Sequence, residues 1–138
     1  MVKIWDFWTA TEEQTLSGHG AEVKCIAWHP CKSLLVSGSK DSQQPMKLWD
    51  PKAGQCLGTF FTHKGGVNDL KWSTNGIYLL SASRDHTIKL YDVRKLRDDI
   101  RTFRGHKRDA TSLAWHPLHQ DMFVSGGYDG QLIFWNVK

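Results

Sequence analysis

Serine, histidine and aspartate recur together along this chain, the residue types of a nucleophilic triad. His19, Ser37 and Asp41 form one set, His63, Ser81 and Asp85 a second, and His106, Ser125 and Asp129 a third. A triad needs a hydroxyl, an imidazole to take its proton and a carboxylate to orient the ring. An active site is seldom copied into every structural unit, so threefold repetition argues for a scaffold. None of the three serines lies in a nucleophile-turn motif. Each set is followed by an aromatic residue, Trp49, Tyr91 or Trp135, making four-residue groups at matching places.

The elements that must hold these groups are legible from an internal repeat. Val2–Phe7 (VKIWDF), Met46–Pro51 (MKLWDP), Ile88–Val93 (IKLYDV) and Leu132–Val137 (LIFWNV) match, with Asp6, Asp50, Asp92 and Asn136 at intervals of 44, 42 and 44 residues. Gly18-His19, Thr62-His63 and Gly105-His106 precede each unit; SGSKD, SASRD and SGGYD lie within it. Runs such as Val23–Trp28 (VKCIAW) and TIKLYD alternate with period two, and Gly, Asn, Asp and Pro punctuate them. Four strands per unit are expected; in the middle unit they fall near 66–72, 77–83, 87–91 and 99–103. Residues 95–102 read as a charged loop entering a strand rather than a helical turn. The His loop then precedes the first strand, the Ser lies on the second, the Asp in the next turn and the aromatic on the third.

The ordered set GH…S-x-x-x-D…W-D resembles the WD-repeat family over almost the whole chain. The resemblance implies an all-β, partial (open) β-propeller of four-stranded antiparallel blades, about three of them present. It divides residues 1–138 into the last strands of a blade (1–17), two blades (18–61 and 62–104) and an incomplete one (105–138). It implies that the aromatic, Ser, His and Asp of each set form a hydrogen-bonded chain, with Tyr91 loosening the middle one. It places partner contacts on one rim: Lys40, Arg84 and Tyr128 before the turn aspartates, and Glu22, Lys24, Gly66, Asn68, Asp109 and Thr111 near the first strands. Fewer than three complete blades cannot close a ring, and Met1 stands in mid-motif. A piece of a longer propeller, marginal alone, is therefore expected; the alternative is a short protein that completes a ring by self-association.

One turn is longer than its counterparts. Asp41 to Trp49 is eight residues, whereas Asp85 to Tyr91 and Asp129 to Trp135 are six. Gln43 and Gln44 are the extra pair and join the candidate rim; Pro45 ends ladder pairing there. With the flanking GHGAEVKCIAWHP, SASRDHTIKLYDVR and FRGHKRDATSLAWHP, the S-K-D-S-Q-Q-P turn resembles one branch of the family, the WD-repeat subunits of cleavage and polyadenylation factors. That resemblance implies a non-catalytic nuclear scaffold that helps recognise the AAUAAA signal of pre-mRNA beside a zinc-finger subunit and a multi-propeller subunit. It assigns no RNA-contacting residue here, because in that branch those contacts depend on a basic N-terminal segment and the earliest blades. A general interaction scaffold in another nuclear or cytosolic complex is the alternative.

Composition narrows the rest. The net charge of +4 permits an acidic partner without requiring one. Cys25, Cys31 and Cys56 have no C-x-x-C spacing, which favours a reducing compartment and no cysteine-based zinc site. His116-x-x-His119 lacks a further ligand at metal spacing, so no metal or cofactor is expected. Among the seven tryptophans, strand positions suggest packing, with Trp8 the candidate for exposure. No apolar run approaches the roughly 20 residues of a membrane-spanning helix.

Overall fold

The computed structural model describes residues 1–138 and contains strands and turns only. Thirteen strands form four antiparallel sheets. The first sheet pairs β1 (Val2–Trp5) with β2 (Glu12–Leu16). The second orders β3 (Val23–Trp28), β4 (Leu35–Ser39), β5 (Met46–Asp50) and β6 (Gln55–Phe60). The third repeats it with β7 (Val67–Trp72), β8 (Tyr78–Ser83), β9 (Thr87–Asp92) and β10 (Arg101–Arg104). The last holds β11 (Ala110–Trp115), β12 (Met122–Gly127) and β13 (Leu132–Asn136). This is an open, partial β-propeller of four-stranded blades.

Period-two alternation gives each blade two apolar faces, one for each neighbour. In the third sheet, Leu79 and Tyr91 face back and pack with Val36, Met46 and Phe60 of the second. Leu80, Ala82, Ile88 and Leu90 face forward onto Ala110, Leu113 and Phe123 of the last. Val2 and Leu16 likewise cover Leu35 and Trp49. Each buried apolar side chain contributes roughly 1.5–3 kcal/mol of transfer free energy, so these sandwiches are the main cohesive force between blades.

The first strands add polar stitches. The Trp72 indole donates to the Ala27 carbonyl at 3.3 Å and that of Trp115 to the Lys71 carbonyl at 3.1 Å. The Leu113 amide donates to Asp69 at 2.9 Å. Packing is the right expectation for Trp49, which is buried, but not for every tryptophan: Trp5 and Trp28 are 57% and 52% exposed, and Trp8 is 89% exposed. Trp28 shares an open hollow with Ile4 of β1 and Glu13 and Gln14 of β2, which leave half of its surface uncovered. At the other end Leu132 and Phe134 are exposed on β13.

Candidate functional site

The strand order brings each repeated set to one end of its blade. In the third sheet, His63 precedes β7, Ser81 is central on β8, Asp85 is in the β8–β9 turn and Tyr91 is on β9. The His63 Nδ1–H donates to Asp85 at 2.9 Å, and the Ser81 hydroxyl donates to His63 Nε2 at 2.5 Å. A carboxylate cannot donate, which assigns the His63 tautomer. Asp85 also accepts from the Lys64 and Thr87 amides at 3.1 and 3.0 Å. Burial opposes ionisation of Asp85, but the bonds from His63 and Thr87 outweigh it and hold the carboxyl well below the usual range.

The last sheet repeats this. His106 donates to Asp129 at 3.1 Å, Ser125 to His106 at 2.7 Å and the Trp135 indole to Ser125 at 2.8 Å. Burial again opposes ionisation, yet the Lys107 and Gln131 amides and His106 bring Asp129 down to about 2. Ser37, Ser81 and Ser125 are fully buried, so no substrate carbonyl can reach their hydroxyls. The arrangement ties the His loop to the sheet.

The first complete blade departs from the expected chain. The Trp49 indole donates to Ser37 at 2.8 Å and Ser37 to His19 Nε2 at 2.5 Å, but His19 does not bond Asp41. The His19 Nδ1 atom is buried, and the Gln44 carbonyl, though near enough to favour its protonation, does not meet hydrogen-bond geometry. Asp41 accepts instead from the Gln43 amide at 2.8 Å. Burial and then the Lys47 ammonium push the His19 pKa below its usual value, against the opposing pull of the Gln44 carbonyl and Asp41. The two extra residues carry the chain past His19 before Pro45 rejoins the ladder, where the Pro45 carbonyl accepts from Ser39 at 2.8 Å.

Tyr91 is fully buried, and its hydroxyl lies 3.4 Å from Ser81, longer than the indole bonds, but 2.5 Å from the Thr62 hydroxyl. Thr62 stands where the other units have glycine. A Cβ at Gly105 would sit 2.8 Å from the Trp135 ring, whereas at Gly18 it would only touch Trp49 at 3.4 Å and the φ of 151° is the obstacle. The smaller phenol leaves room for a threonine, which then supplies a hydrogen bond. Thr62 was not singled out from sequence; the signal was there in the exchange of both members of the Gly/Trp pair.

The candidate rim residues occupy matching turns and first strands. The Lys40, Arg84 and Tyr128 amides donate to the Glu22, Gly66 and Asp109 carbonyls, each at 2.9 Å, so every turn is tied to the start of its first strand. Lys40, Arg84, Tyr128, Lys24, Gln43 and Gln44 are exposed. Lys64, Lys107 and Arg108 are exposed as well, with Glu22, Asp41 and Asp109 as the opposing carboxylates, while Asp85 and Asp129 bond His63 and His106. Three candidates also bond or pack within the sheets. The Asn68 amide donates to the Ala110 carbonyl at 2.9 Å, and the Thr111 hydroxyl to the Gly126 carbonyl at 3.2 Å, so both serve internal bonding. Gly66 is buried where a Cβ would meet the Lys40 backbone at 2.8 Å.

Other groups have structural roles. His116 Nδ1 accepts from the Leu118 and His119 amides at 3.1 and 2.9 Å, which caps the β11–β12 turn. Burial pushes the Cys25 thiol up to about 12, making it a poor nucleophile.

A family model described as "WD domain, G-beta repeat" matches residues 10–43, 54–92 and 97–136. The chain belongs to the WD-repeat family. Proteins built on WD repeats serve as scaffolds for protein–protein interaction. Among relatives, it is 35% identical over 97% of its length to the ribosome biogenesis protein WDR12 homolog of Nematostella vectensis, of which it covers 32%. It is 46% identical over 66 residues, 48% of the chain, to polyadenylation factor subunit 2 of Neurospora crassa, of which that stretch is 10%. Among solved structures, a WD-repeat chain in the crystal structure of a mitotic checkpoint complex superposes with a TM-score of 0.88 at 28% identity, over 98% of this chain and 42% of that one. The chain thus spans a third or less of the length of these curated relatives.

Proposed function

We propose that this WD-repeat chain is a non-catalytic interaction module of the nuclear pre-mRNA cleavage and polyadenylation machinery, whose cationic rim docks an acidic surface of a neighbouring subunit. The observation that carries the assignment is local identity. Polyadenylation factor subunit 2 of Neurospora crassa and of Gibberella zeae match about half the chain at 46% and 48%, above the 35% of the relative aligned over nearly all of it. Pre-mRNA is reached through the complex, and no residue is assigned to RNA. The rim supports the docking mode: Lys40 and Arg84 have no ion-pair partner, and rigid blades hold their turns in fixed positions.

Affinity purification of the full-length gene product tests the assignment. Co-purifying cleavage and polyadenylation subunits support it; ribosome biogenesis factors in their place establish the second reading, which the 35% identity over 97% of the chain favours. Reversing charge at Lys40→Glu and Arg84→Glu together is expected to weaken the partner complex by about tenfold or more, chiefly through the association rate. Unchanged affinity removes the rim from the proposal.

A further inference from the structure

The two end faces of the chain are the halves of a joint that it forms twice internally. Trp72 of the third sheet seats against the second: its indole donates to the Ala27 carbonyl at 3.3 Å, and its ring meets that of His29 at a centroid distance of 4.7 Å. At the next joint the Trp115 indole donates to the Lys71 carbonyl at 3.1 Å. Ala27, Lys71 and Ala114 hold the same ladder position, opposite Val36, Leu80 and Val124. The last sheet therefore offers a third socket. Trp28-His29-Pro30 recurs there as Trp115-His116-Pro117. A hollow of about 200 Å³ opens beside it, lined by Ala114, His116, Pro117, Val124 and Phe134. The third plug is Trp28, the counterpart of Trp72 and Trp115. Ile26 beside it is 52% exposed, whereas its counterparts Leu70 and Leu113 are 0% and 5% exposed. Trp28 already borders Ile4, the counterpart of Phe134.

The strand inventory says what brings plug and socket together. The last sheet has a first, second and third strand and no fourth, whereas the first sheet has only a third and a fourth. β13 matches β1 in sequence, and β1 takes β2 as its fourth strand. The β13 strand of a second copy can thus replace β1 on β2, with Leu132 in the place of Val2 opposite Leu16. β13 is the better held of the two, because the Trp135 indole donates to Ser125 of its own sheet. Trp5 is exposed, and neither β1 nor β2 contains a serine. The exchange gives up the exposed Lys3–Glu12 ion pair. With β1 displaced, the other twelve of the thirteen strands are three four-stranded blades. Two copies then make about six blades, within the range at which propellers close.

We infer that the chain joins a second copy of itself head to tail at both ends. Each Trp28 seats in the other copy's socket at Ala114 and His116, and each β2 completes the other copy's β11–β13 sheet. Contact between two different patches closes a ring when the rotation between copies allows it. This interface is independent of the rim and of the assignment to RNA processing.

Sedimentation equilibrium of the full 138-residue chain is the test. A species of twice the 15.8 kDa chain mass is expected. Trp28→Lys and Phe134→Lys should each give a monomer whose near-ultraviolet circular dichroism stays native; Ile26→Glu and Leu132→Lys replace them where either fails to fold. Mixing the two monomeric variants should restore a two-copy species, weaker than that of the unaltered chain, because one joint then combines an intact plug with an intact socket. Removing residues 1–8 should leave association at least as tight, since β1 no longer competes for β2. A monomer at every concentration would give the end faces to a different polypeptide and overturn the inference. So would species that grow past two copies, failure of the mixed variants to associate, or loss of association on removing residues 1–8.

Discussion

The two complete blades share strand order and a bulge at the start of their first strands, yet differ in how the His loop is held. In the β7–β10 blade the hydrogen-bonded chain closes, from Ser81 through His63 to Asp85. In the β3–β6 blade it stops at His19, whose Nδ1 is buried and unpaired. The cause is two residues in one turn. An insertion that leaves both flanking strands in register is nearly neutral to the sheet but not to a network that must span the turn. The rim of the first blade gains Gln43 and Gln44 as exposed surface, and the blade loses a carboxylate anchor.

The sharpest way to break this comparison is to remove the imidazole from each blade. His63→Ala leaves the half-buried Asp85 carboxylate and the Ser81 hydroxyl without their imidazole partner and should cost about 3 kcal/mol, the upper range for a lost hydrogen bond to a charged group. His19→Ala deprives only the Ser37 hydroxyl of its acceptor and frees no carboxylate, so it should cost less, about 1 kcal/mol. Urea unfolding monitored by tryptophan fluorescence measures both; equal losses would mean the His19 gap has no energetic consequence.

Acid unfolding separates the blades next. The folded pKa values of Asp85 and Asp129 are depressed, so their contribution is complete above the unfolded carboxylate value near 4 and is lost as pH falls toward the folded values. His19 is also depressed, but as a base. The folded state resists its protonation, so stability falls as pH drops below the unfolded value of about 6.5. A stability–pH profile should therefore show a shallow step near pH 6 that His19→Gln abolishes, and a steeper one below pH 4 that it leaves in place.

Shortening the turn should convert one blade into the likeness of the other. Deleting Gln43 and Gln44 restores the six-residue spacing, lets Asp41 reach His19 and should stabilise the chain by about 1 kcal/mol. Appearance of a slowly exchanging His19 Nδ1 proton in NMR would report the new bond. The smallest effect belongs to the middle aromatic. Tyr91→Trp should crowd Thr62 and destabilise alone, whereas with Thr62→Gly it should be near neutral. The cycle should show coupling of about 1 kcal/mol, and additive effects would remove the steric explanation for the threonine.

Much of this was legible from the residues. Repeating markers located the sets, period-two runs located the strands of the middle blade within about two residues, and spacing exposed the long turn. These are local properties, set by side-chain alternation and turn chemistry. The same reasoning overextended the network to His19 and Asp41 and missed the internal bonds of Asn68 and Thr111. A repeat motif says which atoms are available for bonding, not whether two of them meet across a turn of different length.

The sequence by itself determined that this chain folds as repeated four-stranded units, because polar–apolar alternation commits each strand to two packed faces. The tertiary structure alone decided that Thr62 and Tyr91 bond and that Asp41 falls short of His19. Each of these depends on distances of a few ångströms between residues far apart in the chain, and such distances follow from how whole blades stack.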